Sequence, residues 1–297
     1  MNFLVIGHSV VDKIYDGNRL QIKPGGIFYT VVSLKSFLEN GEKLFVCTTV
    51  DETNYNLFSF IYDYVETDYL KFVPCIPIVN LRLKTETERE EVYENVTESI
   101  EMDISNLNRF DGILINMITG FDISIKQIQQ LRKNFNGLIY FDVHTLSRGL
   151  DENMNRNFRP IPEFGKWAES IDILQTNEFE LKTLNLKSNE TDIIEELFKY
   201  GIKQIIVTKA DRGSNLYFTE QGKVKLIKCK AVQIESINKV GCGDVFGATY
   251  FYYYIKNKNA NNALLIANTA AGICTKYFKE KDFFNLKEDV REQLNKN

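Results

Sequence analysis

The chain has 297 residues, 44% hydrophobic and 12% aromatic, enough to fill the core of one large α/β domain or two small ones. A formal net charge of −4 and a pI near 5.5 leave no basic footprint for nucleic acid. The five cysteines (Cys47, Cys75, Cys229, Cys242 and Cys274) are odd in number and include no Cys-x-x-Cys pair. They argue against a disulfide framework or a zinc site and for a reduced, cytoplasmic compartment.

The opening Met1–Gly7 lacks a basic start, and its apolar run is too short for a signal peptide. No stretch approaches about 18 uninterrupted apolar residues, so no membrane span is expected. Phe3 to Ile6 is a short apolar run ending at Gly7, as in a buried strand. Val10 to Tyr15 is more mixed, and Pro24-Gly25-Gly26 breaks the chain before a helix from about Phe28 to Leu38, which Asn40-Gly41 ends. Leu44 to Thr49 reads as a strand and Tyr55 to Val65 as a helix.

Further strands are expected at Leu70–Val73, Gly112–Asn116, Leu138–Asp142, Ile171–Gln175 and Gln204–Thr208, with helices at Ile123–Asn134 and Asp192–Tyr200. Ser214–Phe218 with Lys223–Lys228 suggests a hairpin, and helices follow at Val245–Ile255, Asn261–Phe278 and Leu286–Leu294. Strands alternating with helices imply a mostly parallel sheet covered on both faces. Ile76 to Ile100 breaks that alternation and reads as a strand pair standing out from the sheet, with the charged cluster Lys84–Glu91 as a solvated tip.

The most informative segment is Gly241-Cys242-Gly243-Asp244, which opens the helical run from Val245. Glycines allow a tight turn and leave backbone N–H groups uncovered at a helix start, where anions bind. A site that only holds an anion has no use for a carboxylate there, whereas one that moves a phosphoryl group onto a hydroxyl needs a proton acceptor. The same pattern also fits an ordinary glycine turn with Asp244 as a helix cap. In Asn177-Glu178-Phe179-Glu180, Asn177 and Glu180 stand three apart and form a capping-box pattern. There is no Walker A sequence and no Gly-x-Gly-x-x-Gly after the first strand, so P-loop and Rossmann classes are disfavoured.

Taken together, these motifs resemble the ribokinase-like (PfkB) family of sugar and nucleoside kinases, over nearly the whole chain. The resemblance implies a three-layer α/β fold with a central, mostly parallel sheet and a small β lid. It implies one domain over 1–297, with lid segments near 12–24 and 76–100. Gly241, Cys242 and Gly243 correspond to the family's anion hole and Asp244 to its catalytic aspartate. Asp12, Gly25, Gly26 and Thr30 fall on the substrate side, Thr30 standing where the family usually has asparagine. Asn177, Thr208, Gly213 and Asn268 fall on the nucleotide side, with Ala210 in place of a glycine, and Glu180 acts on Mg²⁺ through water. After Asp142, His144 stands where the family usually has asparagine, and Arg148 lies slightly later than the family's arginine. Asn238 and Lys239 replace the aspartate and threonine that hold a monovalent cation in many members.

The expected activity is ATP- and Mg²⁺-dependent phosphorylation of a sugar or sugar-like hydroxyl, with a homodimer as a possible assembly and no nucleic-acid or membrane partner. A nucleoside or vitamin-precursor kinase of the same superfamily remains open. So does a non-catalytic ligand sensor on the same fold, to which Thr30, Ala210 and Asn238 lend weight.

Overall fold

In a computed structural model, residues 1–17, 19–82, 90–103, 105–185, 187, 189–234 and 238–296 are described. The strands, in chain order, are β1 (Asn2–Ile6), β2 (Ser9–Asp16), β3 (Arg19–Gly26), β4 (Lys43–Val50), β5 (Leu70–Phe72), β6 (Ile78–Arg82), β7 (Glu90–Tyr93), β8 (Gly112–Asn116), β9 (Leu138–Asp142), β10 (Arg148–Leu150), β11 (Arg156–Phe158), β12 (Ile173–Asn177), β13 (Gln204–Thr208), β14 (Ser214–Glu220) and β15 (Lys223–Cys229). The helices are α1 (Phe28–Phe37), α2 (Tyr55–Tyr62), α3 (Ile125–Asn134), α4 (Phe164–Ala168), α5 (Glu178–Leu181), α6 (Glu190–Phe198), α7 (Cys242–Asn257), α8 (Ala260–Cys274) and α9 (Leu286–Leu294).

Nine strands form the central sheet in the order β15-β14-β13-β12-β9-β8-β1-β4-β5. Pairing is parallel from β13 to β5, and β14 and β15 add antiparallel at one edge. The runs Phe3–Ile6, Ile113–Ile115 and Ile205–Val207 are buried along their whole length, as strands covered on both faces must be. One core joins the sheet to α1, α7, α8 and α9, and a second joins it to α3, α4 and α6. Gly112 allows the first packing: a Cβ there would lie 2.2 Å from Ile255 Cδ1 on α7.

A second sheet, β3-β2-β6-β7, stands beside the first. It corrects two expectations. Pro24-Gly25-Gly26 does not break the chain but ends β3, which pairs with β2 from Arg19↔Asp16 to Gly26↔Ser9. Proline is tolerated because β3 is an edge strand of this sheet. Of the charged cluster, residues 84–89 lie outside the described residues, and Glu91 is buried rather than solvated. The ribbon β10-β11 is absent from the sequence reading, because three-residue strands carry too little periodicity to be seen. No helix among the described residues is long and apolar enough to cross a membrane.

Candidate active site

Open parallel sheets bind ligands beyond the C-terminal ends of their strands. Register places three polar side chains there side by side: Asn116 pairs with Asp142 across β8 and β9, and Asp142 with Gln175 across β9 and β12. Above them α7 begins. Gly241, its N-cap, has φ +80°, and a Cβ on it would lie 2.3 Å from Cγ of the Tyr29 ring. The position therefore excludes side chains on both backbone and steric grounds. Asp244, in the first turn, is buried, and its Oδ1 accepts from Asn116 Nδ2 at 2.6 Å. The same amide reaches Thr30 Oγ1 at 3.1 Å.

Gln175 ties the turn to the sheet. Its Nε2 donates to Asp142 Oδ2 at 2.8 Å and to the Gly243 carbonyl at 3.1 Å, while Tyr140 Oη donates to its Oε1 at 2.5 Å. Asp142 is buried. Burial first, then the charges of Glu180 and Asp244, push its carboxyl well above the usual carboxylate range. Such crowding is what a divalent cation would relieve, and the oxygen-only donor set suits Mg²⁺. Among the described residues no group of three or more His, Cys, Asp or Glu side chains is arranged to hold a metal alone.

Asp244 and Gly241 line a cavity of about 40 Å³ together with Asp12, Gly26, Glu91, Tyr93, His144 and Thr145. Val10, Val79, Leu81 and Ile118 give it an apolar side. Asp12 lies over Gly25 so closely that a Cβ there would meet its Cγ at 2.2 Å. Gly26, at φ +63°, lets the chain pass the His8 carbonyl. His8 itself is buried, with Nδ1 3.0 Å from Thr119 Oγ1 and 3.1 Å from Asp122 Oδ1. Behind Tyr93 the buried Arg156 guanidinium lies 4.4 Å from the ring centroid and donates to the carbonyls of Thr119 and Arg148.

The structure therefore gathers Asp12, Gly25, Gly26, Thr30, Gly241, Cys242, Gly243 and Asp244 at one place. The nucleotide-side candidates do not line this cavity. Asn177 and Glu180 form the capping box: Asn177 Oδ1 accepts from the amides of Phe179 and Glu180 at 2.9 Å, and Glu180 Oε2 accepts from the Asn177 amide at 2.8 Å. Thr208 ends β13, and Gly213, at φ +96°, turns where a Cβ would lie 2.0 Å from the Cys229 carbonyl oxygen. Ala210 takes a positive φ of 49° despite its side chain. Asn268 Nδ2 donates to the Cys229 carbonyl at 3.2 Å, fastening α8 to β15. His144, at φ +37°, reaches the cavity, whereas Arg148 lies 4.0 Å from the Phe158 ring centroid on the adjoining ribbon.

Sequence reasoning missed Asn116, Glu91 and Tyr93. Asn116 carried a usable signal, a polar residue at the C-terminal end of an apolar strand. Glu91 carried none, since its charge placed it with a solvated cluster.

The pfkB family carbohydrate kinase pattern matches residues 148–282. Comparison with curated proteins finds no match. Among solved structures, ribokinase from Thermotoga maritima superposes with a TM-score of 0.77 at 17% identity, covering 99% of both chains. Arabidopsis thaliana ribokinase, complexed with ribose and ATP, gives a TM-score of 0.73 at 19% identity, covering 96% of this chain and 97% of that one. A pyrophosphate-dependent kinase of the ribokinase family, complexed with a pyrophosphate analogue and myo-inositol, gives 0.75 at 17% identity, covering 95% and 98%. At these identities the likeness is one of fold.

Proposed function

We propose that this chain, which has the ribokinase fold and resembles the pfkB carbohydrate kinases, transfers the γ-phosphate of ATP to a hydroxyl of a sugar or sugar-like acceptor. The observation that carries this reading is the meeting of Asp244, at the N-terminal turn of α7, with Asp12 around one cavity. Asp12 accepts hydrogen bonds from acceptor hydroxyls, which fixes the reacting oxygen near Asp244. Asp244 takes the proton of that hydroxyl as it attacks, and Asn116 keeps the carboxylate aimed. The amides of Gly241 to Asp244 stabilise the charge on the transferring group. Glu180, through water, and Asp142 would hold Mg²⁺, which when bound neutralises charge on the phosphates.

In this reading residues 1–297 act as one domain, and the sheet β3-β2-β6-β7 is a lid that excludes water during transfer. Leu20 and Ile22 are exposed on its edge strand β3, which supports pairing of two lids in a homodimer. The five cysteines, all free, fit a cytoplasmic location.

The test is a phosphorylation screen of sugars, inositols, nucleosides and vitamin precursors, with ATP and with pyrophosphate as donor. The expected result is ATP-dependent turnover of one acceptor, reduced roughly 10²–10⁴-fold in Asp244→Asn with ATP binding kept. Ligand binding without phosphorylation from either donor would instead favour a sensor, and an unchanged rate in Asp244→Asn would remove the assigned base.

A further inference from the structure

Cys242 and Cys274 are 32 residues apart in sequence, yet their sulfurs lie 3.6 Å apart. Cys242 is the first residue of α7, inside the Gly241–Asp244 turn, and is partly exposed. Cys274 is the last residue of α8 and is buried. We propose that these two thiols are a redox modification site, closed by hydrogen peroxide into a disulfide that disables the phosphate-binding turn.

The exposed partner reacts first. Cys242 sulfur attacks one peroxide oxygen, the O–O bond breaks and water leaves, giving a sulfenic acid. Cys274 sulfur then attacks Cys242 sulfur, the S–O bond breaks, and the hydroxyl leaves as a second water. Two thiols are oxidised while one peroxide is reduced to two waters, and a dithiol reverses the bond. Cys274 suits the second role. Its sulfur lies 3.6 Å from that of Cys242, and its proton leaves with the departing hydroxyl as the S–S bond forms.

Closing 3.6 Å to a disulfide bond of about 2.05 Å requires the sulfurs to approach by roughly 1.5 Å. The neighbours of Cys242 leave that movement little slack. Gly241 lies against the Tyr29 ring, and Asp244 is fixed by Asn116. The strain therefore falls on the amides between them, and a displacement near 1 Å costs roughly 100-fold in rate. This activity half rests on the kinase reading; the disulfide half does not.

The full-length protein is treated with hydrogen peroxide and digested with trypsin without reduction. The expected product joins peptide 240–256 to peptide 259–276, at two hydrogens below their summed mass, and vanishes with dithiothreitol. Cys274→Ala keeps its reduced activity, forms no such link, and leaves a sulfenic acid at Cys242 that dimedone traps. Phosphorylation by the wild-type protein falls about 100-fold on oxidation and returns on reduction. Absence of the link once the exposed Cys75 is oxidised overturns the proposal. Complete linkage with an unchanged rate overturns the switch. Linkage in a protein that transfers no phosphate in either redox state supports the thiol pair and counts against the kinase reading.

Discussion

The Asn116 side-chain amide donates to the Asp244 carboxylate at 2.6 Å, across 128 residues of sequence. A neutral donor on a buried carboxylate favours its ionised form, the form a general base needs. Asn116→Ala should lower kcat roughly 10–100-fold, the worth of a hydrogen bond to a charged group. Asn116→Asp should do more, because two carboxylates then face each other. The acid limb of its pH–rate profile should move upward by at least about one pH unit. A profile that matches wild type would show that Asn116 does not tune Asp244.

Adjacent glycines beside Asp12 should fail differently. Gly25→Ala places a methyl 2.2 Å from Asp12 Cγ, so the carboxylate must move and the acceptor KM should rise at least about tenfold. Gly26→Ala, at φ +63° and 2.3 Å from the His8 carbonyl oxygen, strains the backbone itself. It should cost about 1–3 kcal/mol of stability. Thermal melts and acceptor kinetics on both variants separate the two effects; equal melting temperatures would refute the second.

Thiol labelling should distinguish the cysteines. Cys75 is exposed and should label with or without nucleotide, whereas Cys47 is buried, with burial pushing its thiol up to about 12, and should not label. Cys242 should label only when Mg-ATP is absent. Mass spectrometry after a short pulse of maleimide measures this, and equal Cys242 labelling in both states would argue that nucleotide does not cover the turn.

Activity should be nearly independent of K⁺. The Asn238 carboxamide oxygen accepts from the Val240 amide at 3.0 Å and carries no charge to attract a cation, while Lys239 is exposed. The assay replaces K⁺ with a large organic cation at fixed ionic strength. A several-fold fall in kcat, restored by K⁺, would mean that backbone carbonyls hold the ion without the usual aspartate.

Asp142 should make stability fall with rising pH. Its folded-state pKa is raised above the ordinary value of 3.8 by burial, Glu180 and Asp244. Its contribution is therefore fully present below about pH 4 and is lost as pH rises through the folded value. Asp142→Asn removes that loss, so its Tm advantage over wild type should be larger at pH 8 than at pH 5. Mg²⁺ should raise the wild-type Tm more than the variant's. The same Tm difference at both pH values would contradict the shift.

Sequence alone determined the frame. Gly112–Asn116, Leu138–Asp142, Gln204–Thr208 and Leu286–Leu294 run in the structure between the residues expected from sequence. A buried parallel strand must be apolar throughout and an amphipathic helix must repeat, so both are written locally. The Asn177–Glu180 capping box is local for the same reason, since both partners sit within one turn. Tertiary structure decided what depends on distant partners. It turned Pro24-Gly25-Gly26 into the end of an edge strand, drew Glu91 inward to the cavity, and set Asn116 against Asp244 and Cys242 against Cys274. Hydrogen bonds, burial and charge repulsion act through space, and the chain brings those groups together only when the sheet register and the packing of α7 on α8 are in place.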